Sequence, residues 1–118
     1  MSNYEIYHNP RCSKSRATLK LLEENGIEPK VRLYLEEPPS AAELKKVLKA
    51  LNLSARKIIR EGEDEFRSEK LADKSLTDAD LIAAMLKHPR LIQRPIVIRD
   101  RKAARIGRPP ESVAELWK

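Results

Sequence analysis

Between Tyr4 and Leu35 the chain runs strand, helix, strand, and this order restricts the fold more than any other feature. Tyr4–His8 is a short apolar run of strand character. Ser13–Asn25 follows as a helix, with Leu19, Leu21 and Leu22 forming its apolar face and Gly26 at the position that ends a helix. Lys30–Leu35 alternates branched apolar residues with charged ones and reads as a second strand, which Glu36–Pro39 breaks.

The middle of the chain is helical in pattern. Ser40-Ala41-Ala42-Glu43 is a capping box that predicts a helix to about Leu51. Ser54 is placed to cap a short helix through Arg60, and Phe66–Ala72 reads as another. Thr77 leads a helix to about His88, where Pro89 stops it. Pro95–Arg99 and Ala103–Ile106 then read as strands around an Asp100–Lys102 turn, and Pro109, Pro110 and Glu111 open a last helix ending near Trp117. The order is βαβ, a block of helices, then ββα. An α/β chain of 118 residues is most simply one domain, 1–118.

The junction between the first strand and the first helix carries the chemistry. Cys12 is the only cysteine, within Tyr7-His8-Asn9-Pro10-Arg11-Cys12-Ser13-Lys14-Ser15-Arg16. A thiol at a helix start meets unsatisfied N–H groups and the positive end of the helix dipole, which favour the nucleophilic thiolate. Arg11, Lys14 and Arg16 add positive charge nearby. The plain alternative is a free cysteine acting as a small buried hydrophobe. His8, at the strand end, is either a donor that lowers the thiol pKa or a residue with a local hydrogen bond of its own. His88, at a helix end, reads as structural.

Composition narrows the classes. One cysteine cannot form an internal disulfide and suits a reducing compartment, the cytoplasm. The start lacks the apolar core of a signal peptide, and no run approaches a membrane span. Net charge is +6, from 24 basic and 18 acidic residues, but the charges are interspersed and aromatics are 4%. That pattern argues against a base-stacking nucleic-acid platform and fits solvated helix faces beside a small-anion site. Two distant histidines and one cysteine give no metal-ligand spacing, and three glycines make no phosphate loop. The Glu61–Glu65 run reads as a solvated turn, with pairing to Arg60 as the alternative.

These residues resemble a known family, the glutaredoxin-linked arsenate reductases, and in particular its short bacterial members. The resemblance rests on the His8-Asn9-Pro10-x-Cys12-x-x-Ser15-Arg16 opening, Leu33-Tyr34-Leu35-Glu36, Ile92-Gln93-Arg94-Pro95-Ile96-Val97, and Ala104-Arg105-Ile106-Gly107-Arg108-Pro109. It implies a thioredoxin-like fold with a helical insertion between the βαβ and ββα units, and a cis proline, here Pro95, facing the cysteine. It further implies that Cys12 is the nucleophile, that Arg60, Arg94 and Arg108 hold the oxyanion, and that His8 and Ser15 flank the thiol. Arg105 competes with Arg108 for its role. The family commonly has Cys-Gly-Thr-Ser where this chain has Cys12-Ser13-Lys14-Ser15.

The implied reaction is reduction of arsenate to arsenite through a covalent arsenic adduct on Cys12. No cofactor is bound; glutathione is the external reductant and glutaredoxin the partner, because C-x-x-S lacks a second thiol. Two other functions use the same fold. One is a glutathione-dependent thiol/disulfide reductase working through Cys12. The other is a regulator that binds RNA polymerase, although such regulators typically carry C-x-x-C and need no arginine triad.

Overall fold

In the computed structural model, which describes residues 2–118, four strands and four α-helices alternate with 3-10 turns. The strands are β1 (Tyr4–Tyr7), β2 (Lys30–Arg32), β3 (Ile96–Arg99) and β4 (Ala103–Ile106). The helices are α1 (Ser13–Glu24), α2 (Ala41–Leu51), α3 (Asp64–Ser68) and α4 (Asp78–Lys87). Strand order is β2-β1-β3-β4, with β1 parallel to β2 and the other pairs antiparallel. Ile6 of β1 stands opposite Val31 on one side and Val97 on the other. The first cysteine-bearing loop therefore leaves the sheet from an inner strand.

Side chains alternate across the sheet, so both faces are buried. Ile6 and Val97 pack with Leu22 of α1 and with Val113 and Leu116 near the C-terminus. Tyr7, Ile96 and Ile98 face the other way, against Leu44, Leu48, Leu81 and Met85 of α2 and α4. The helical insertion thus covers one face and α1 covers the other. This is the thioredoxin-like arrangement with an inserted helical block.

Local signals explain most boundaries. α1 ends in a Schellman turn: Gly26 has φ +75°, its N–H donates to Glu23, and the N–H of Ile27 donates to Leu22. Ser40 and Glu43 cap α2 reciprocally, and Thr77 and Asp80 do the same for α4. His88 follows α4 and meets Glu69 Oε1 at 3.1 Å, a structural contact.

Four expected elements differ. The second strand ends at Arg32, short of Leu35, because Glu36 and Glu37 both donate to the Leu33 carbonyl and turn the chain. The segment after Ser54 is a 3-10 turn, Ala55–Lys57, and the Ser54 side chain makes no cap bond. The next residues leave the helical path to pair with a distant segment: Arg60 N–H donates to Leu91 O and Gln93 N–H to Ile58 O. α3 begins at Asp64 and ends at Ser68, upstream of the predicted Phe66–Ala72. The last segment, Pro110–Leu116, is 3-10; prolines remove early donors, and the Ser112 hydroxyl lies 2.6 Å from both the Ile106 and Pro109 carbonyls, its one proton serving either.

Arg32 fastens the turn after β2. Its guanidinium donates to Glu37 O, Pro38 O and both carboxylate oxygens of Glu43, one at 2.6 Å. Hydrogen bonding from Arg32 and from the Ser40 N–H holds the Glu43 carboxyl at about 2. A depressed carboxylate stabilises the fold above its unfolded pKa, and that stability is lost as pH falls toward 2. Water screens the half-exposed Glu43, so Glu43→Gln should cost about 1 kcal/mol at neutral pH. Urea unfolding of both proteins from pH 7 to pH 2.5 should show the difference shrinking on the acid side.

Candidate active site

The loop after β1 is shaped by Asn9. Its carbonyl accepts from the Cys12 N–H at 3.0 Å and its side-chain Oδ1 accepts from the Arg11 N–H at 3.0 Å. This turn puts Cys12 at the N-cap of α1 without a side-chain cap bond, leaving the partly exposed sulfur free. Burial raises the thiol pKa, but the Ser15 N–H, the Arg94 guanidinium and the Lys14 N–H together outweigh it, and the net shift is downward. The thiolate is thus more accessible than in an ordinary cysteine.

That result revises one expectation. The cation that acts on the thiol is Arg94, brought in from across the fold, rather than Arg11, Lys14 or Arg16. Lys14 contributes through its backbone, and Arg16 instead donates to the Pro10 carbonyl.

His8 and Ser15 meet beneath the loop. His8 Nδ1 and Ser15 Oγ lie 2.6 Å apart, and the Asn9 N–H donates to the same oxygen at 3.0 Å. Burial, and secondarily Arg16, lower the His8 pKa, so the imidazole is neutral at pH 7. Of the two roles open to His8, the local hydrogen bond is the one observed. Ser15, fully buried, ties the strand end to the first turn of α1.

The arginines converge by long-range contacts. The Ile59–Ile92 bridge sets Arg60 beside Gln93, whose side-chain oxygen accepts from Arg60 Nη1 at 3.0 Å and from the Arg94 N–H at 3.2 Å. Arg94 precedes a cis Pro95. Arg108 Nη1 donates to the Arg94 carbonyl at 3.1 Å, while Arg105 turns to Glu115 at the surface. Gly107 makes this approach possible. A Cβ there would lie 2.8 Å from Pro95 Cγ and closer still to Thr18 Oγ1. Burial first, then the charges of Arg94 and Arg108, lower the Arg60 pKa, as expected of clustered cations.

Glu63 corrects the solvated-turn expectation for the acidic run. Its carboxylate stands 3.5 Å from Arg60 Nε and 3.7 Å from Arg94 Nη1, and 3.2 Å from Arg90 Nη2. It offsets part of the local positive charge. Nothing in the sequence marks Glu63 or Gln93 individually; Gln93 adjoins Arg94 in Ile92–Val97, and Glu63 lies in the Glu61–Glu65 run.

Among the described residues, four buried side-chain atoms have no hydrogen-bond partner: Tyr34 Oη, Arg60 Nε, Arg94 Nε and Glu65 Oε1. Three of them are potential donors. Beside the loop opens a groove of about 560 Å³, bordered by Asn9, Arg11, Leu33, Leu35, Arg90 and Arg94. The site can therefore offer a thiol with a lowered pKa, guanidinium donors and room for a molecule larger than an oxyanion. No helix among the described residues is long and apolar enough to cross a membrane.

Fold and site together define a thioredoxin-like protein with one activated thiol among arginines. A model of the ArsC family matches residues 7–116, and the chain belongs to that family. It is 57% identical over 113 residues to the uncharacterized protein YfgD of Escherichia coli K12, spanning 95% of this chain and 94% of that protein. It is 46% identical over 112 residues to an arsenate reductase of Haemophilus influenzae, spanning 94% and 96%. A solved arsenate reductase from Vibrio cholerae superposes with a TM-score of 0.92 at 50% identity, covering 96% of each chain.

Proposed function

We propose that this chain reduces arsenate to arsenite, with Cys12 as nucleophile and glutathione and glutaredoxin as the source of electrons. The observation that carries this is the Cys12 thiol held at the N-cap of α1, its pKa lowered in part by the Arg94 guanidinium brought in from across the fold. A thiolate alone would suit many reactions; a thiolate paired with a guanidinium suits a substrate that is itself an anion. Relatives named arsenate reductase, 42–46% identical over nearly the whole chain, support the choice of oxyanion.

Arg60, Arg94 and Arg108 bind the tetrahedral oxyanion and offset its charge against the approaching thiolate. Cys12 Sγ forms a bond to As(V) and one oxygen leaves as water. Reduction to As(III) oxidises two thiols to a disulfide. Cys12 is the chain's single cysteine, so the second thiol is glutathione, and glutaredoxin removes the glutathione that remains. The groove beside Asn9 and Arg11 has the size and mixed charge for a small peptide thiol. Such a reaction belongs in the glutathione-rich cytoplasm.

Arsenite formation followed with glutathione, glutaredoxin and a system that recycles both is the test. Turnover should require arsenate and both thiol components, with the mixed disulfide of Cys12 and glutathione accumulating when glutaredoxin is omitted. No arsenite under full conditions would reject the reading. Turnover of glutathione mixed disulfides alone would replace it with the thiol/disulfide reductase.

A further inference from the structure

Tyr34 occupies the turn that ends β2, and its side chain is fully buried. Its ring stacks on Tyr7, with centroids 6.4 Å apart and planes 22° from parallel. Burial raises the phenol pKa to about 12, so the hydroxyl keeps its proton. Its chain neighbours Leu33 and Leu35 border the same groove as Asn9 and Arg94, and the charges of Arg94, Arg60 and Cys12 all act on the hydroxyl. The Asn9 side chain also acts on the hydroxyl and lowers its pKa, but by distance and angle Oη has no hydrogen-bond partner.

A buried hydroxyl without a partner is costly unless something satisfies it. A phenylalanine would stack on Tyr7 equally well. What the hydroxyl adds is a neutral donor to a site whose two guanidiniums have Nε atoms that also make no hydrogen bond, Arg60 Nε standing 3.5 Å from the Glu63 carboxylate. We propose that the Tyr34 hydroxyl is a further substrate-binding group, donating a hydrogen bond to the oxyanion held by Arg60 and Arg94. This rests on the oxyanion site proposed above and deepens it. The arginines supply charge and planar donors at the end of long side chains, whereas a phenol fixed by ring stacking adds a neutral donor at one point. Its job is to orient the tetrahedral anion for in-line attack by Cys12.

The test is protection of Cys12 from iodoacetamide, a neutral alkylating agent, by arsenate in the absence of glutathione. Tyr34→Phe should raise the arsenate concentration for half-protection by about tenfold, the loss of one hydrogen bond to an anion. The pH profile of alkylation without arsenate should stay where it is. The empty variant should melt at the same or a higher temperature, since it loses an unsatisfied buried group. Equal half-protection concentrations, or a lower melting temperature in the empty variant, would overturn the role of Tyr34. If arsenate does not protect the wild-type thiol at all, the oxyanion site itself is wrong and Tyr34 falls with it.

Discussion

Cys12→Ser should abolish arsenite formation, a loss of more than about 10⁴-fold in turnover, while the chain stays folded. A serine hydroxyl at neutral pH keeps its proton and cannot replace a thiolate as nucleophile. Nor can it form the disulfide that carries electrons away. The structural effect runs the other way. The N-cap of α1 has no side-chain cap bond, and serine is among the best N-cap residues. The variant should therefore melt at the same temperature as the wild type or slightly above it. Arsenite produced by the variant above background would remove Cys12 from the mechanism, and a collapse in melting temperature would mean that the sulfur supports the fold.

Arg94→Ala is the second large effect expected. Two functions are lost at once: the Arg94 guanidinium's pull on the Cys12 thiol toward thiolate, and one donor for the proposed oxyanion. The alkylation midpoint of Cys12 should move to higher pH, because removing a nearby cation disfavours the thiolate. Loss of a preorganised donor should lower kcat/KM by about 10² to 10³. The two measurements separate the roles. Restoring the thiolate by raising the pH should recover only part of the activity. Full recovery at high pH would leave Arg94 as a thiol activator alone, and an unmoved alkylation profile would deny it even that.

Much of this architecture was legible from residues. The βαβ start, both capping boxes, the end of α1 at Gly26 and the β3–β4 hairpin follow from local patterns, since each depends on neighbours within a few positions. Cys12 at a helix start was legible for the same reason. Long-range pairing was not. Arg60 reaches Gln93 through a backbone bridge between segments far apart in sequence, and that bridge is also why the chain after Lys57 leaves its helical path. Charge near the thiol in sequence misled: Arg11, Lys14 and Arg16 are neighbours in the chain, but Arg94 is the neighbour in space. Glu63 pairs with Arg60, the alternative the sequence offered, but two further partners, Arg90 and Arg94, come from another segment and were not legible. Tyr34 was visible only as part of a family motif, because burial of a hydroxyl without a partner is a property of packing.

The contact at Gly107 bears on how occupancy and folding are linked. Three cations gathered in one place repel, and here they are held together by backbone and side-chain packing, with the chain at Gly107 set hard against Thr18 and Pro95. The unfolded chain has no such gathering to relieve. An anion entering the pocket thus binds the folded form alone and cancels repulsion that the empty form must carry. Ligand and fold then draw on one free energy: the filled molecule resists unfolding more than the empty one, and the difference widens as the anion concentration rises above its dissociation constant.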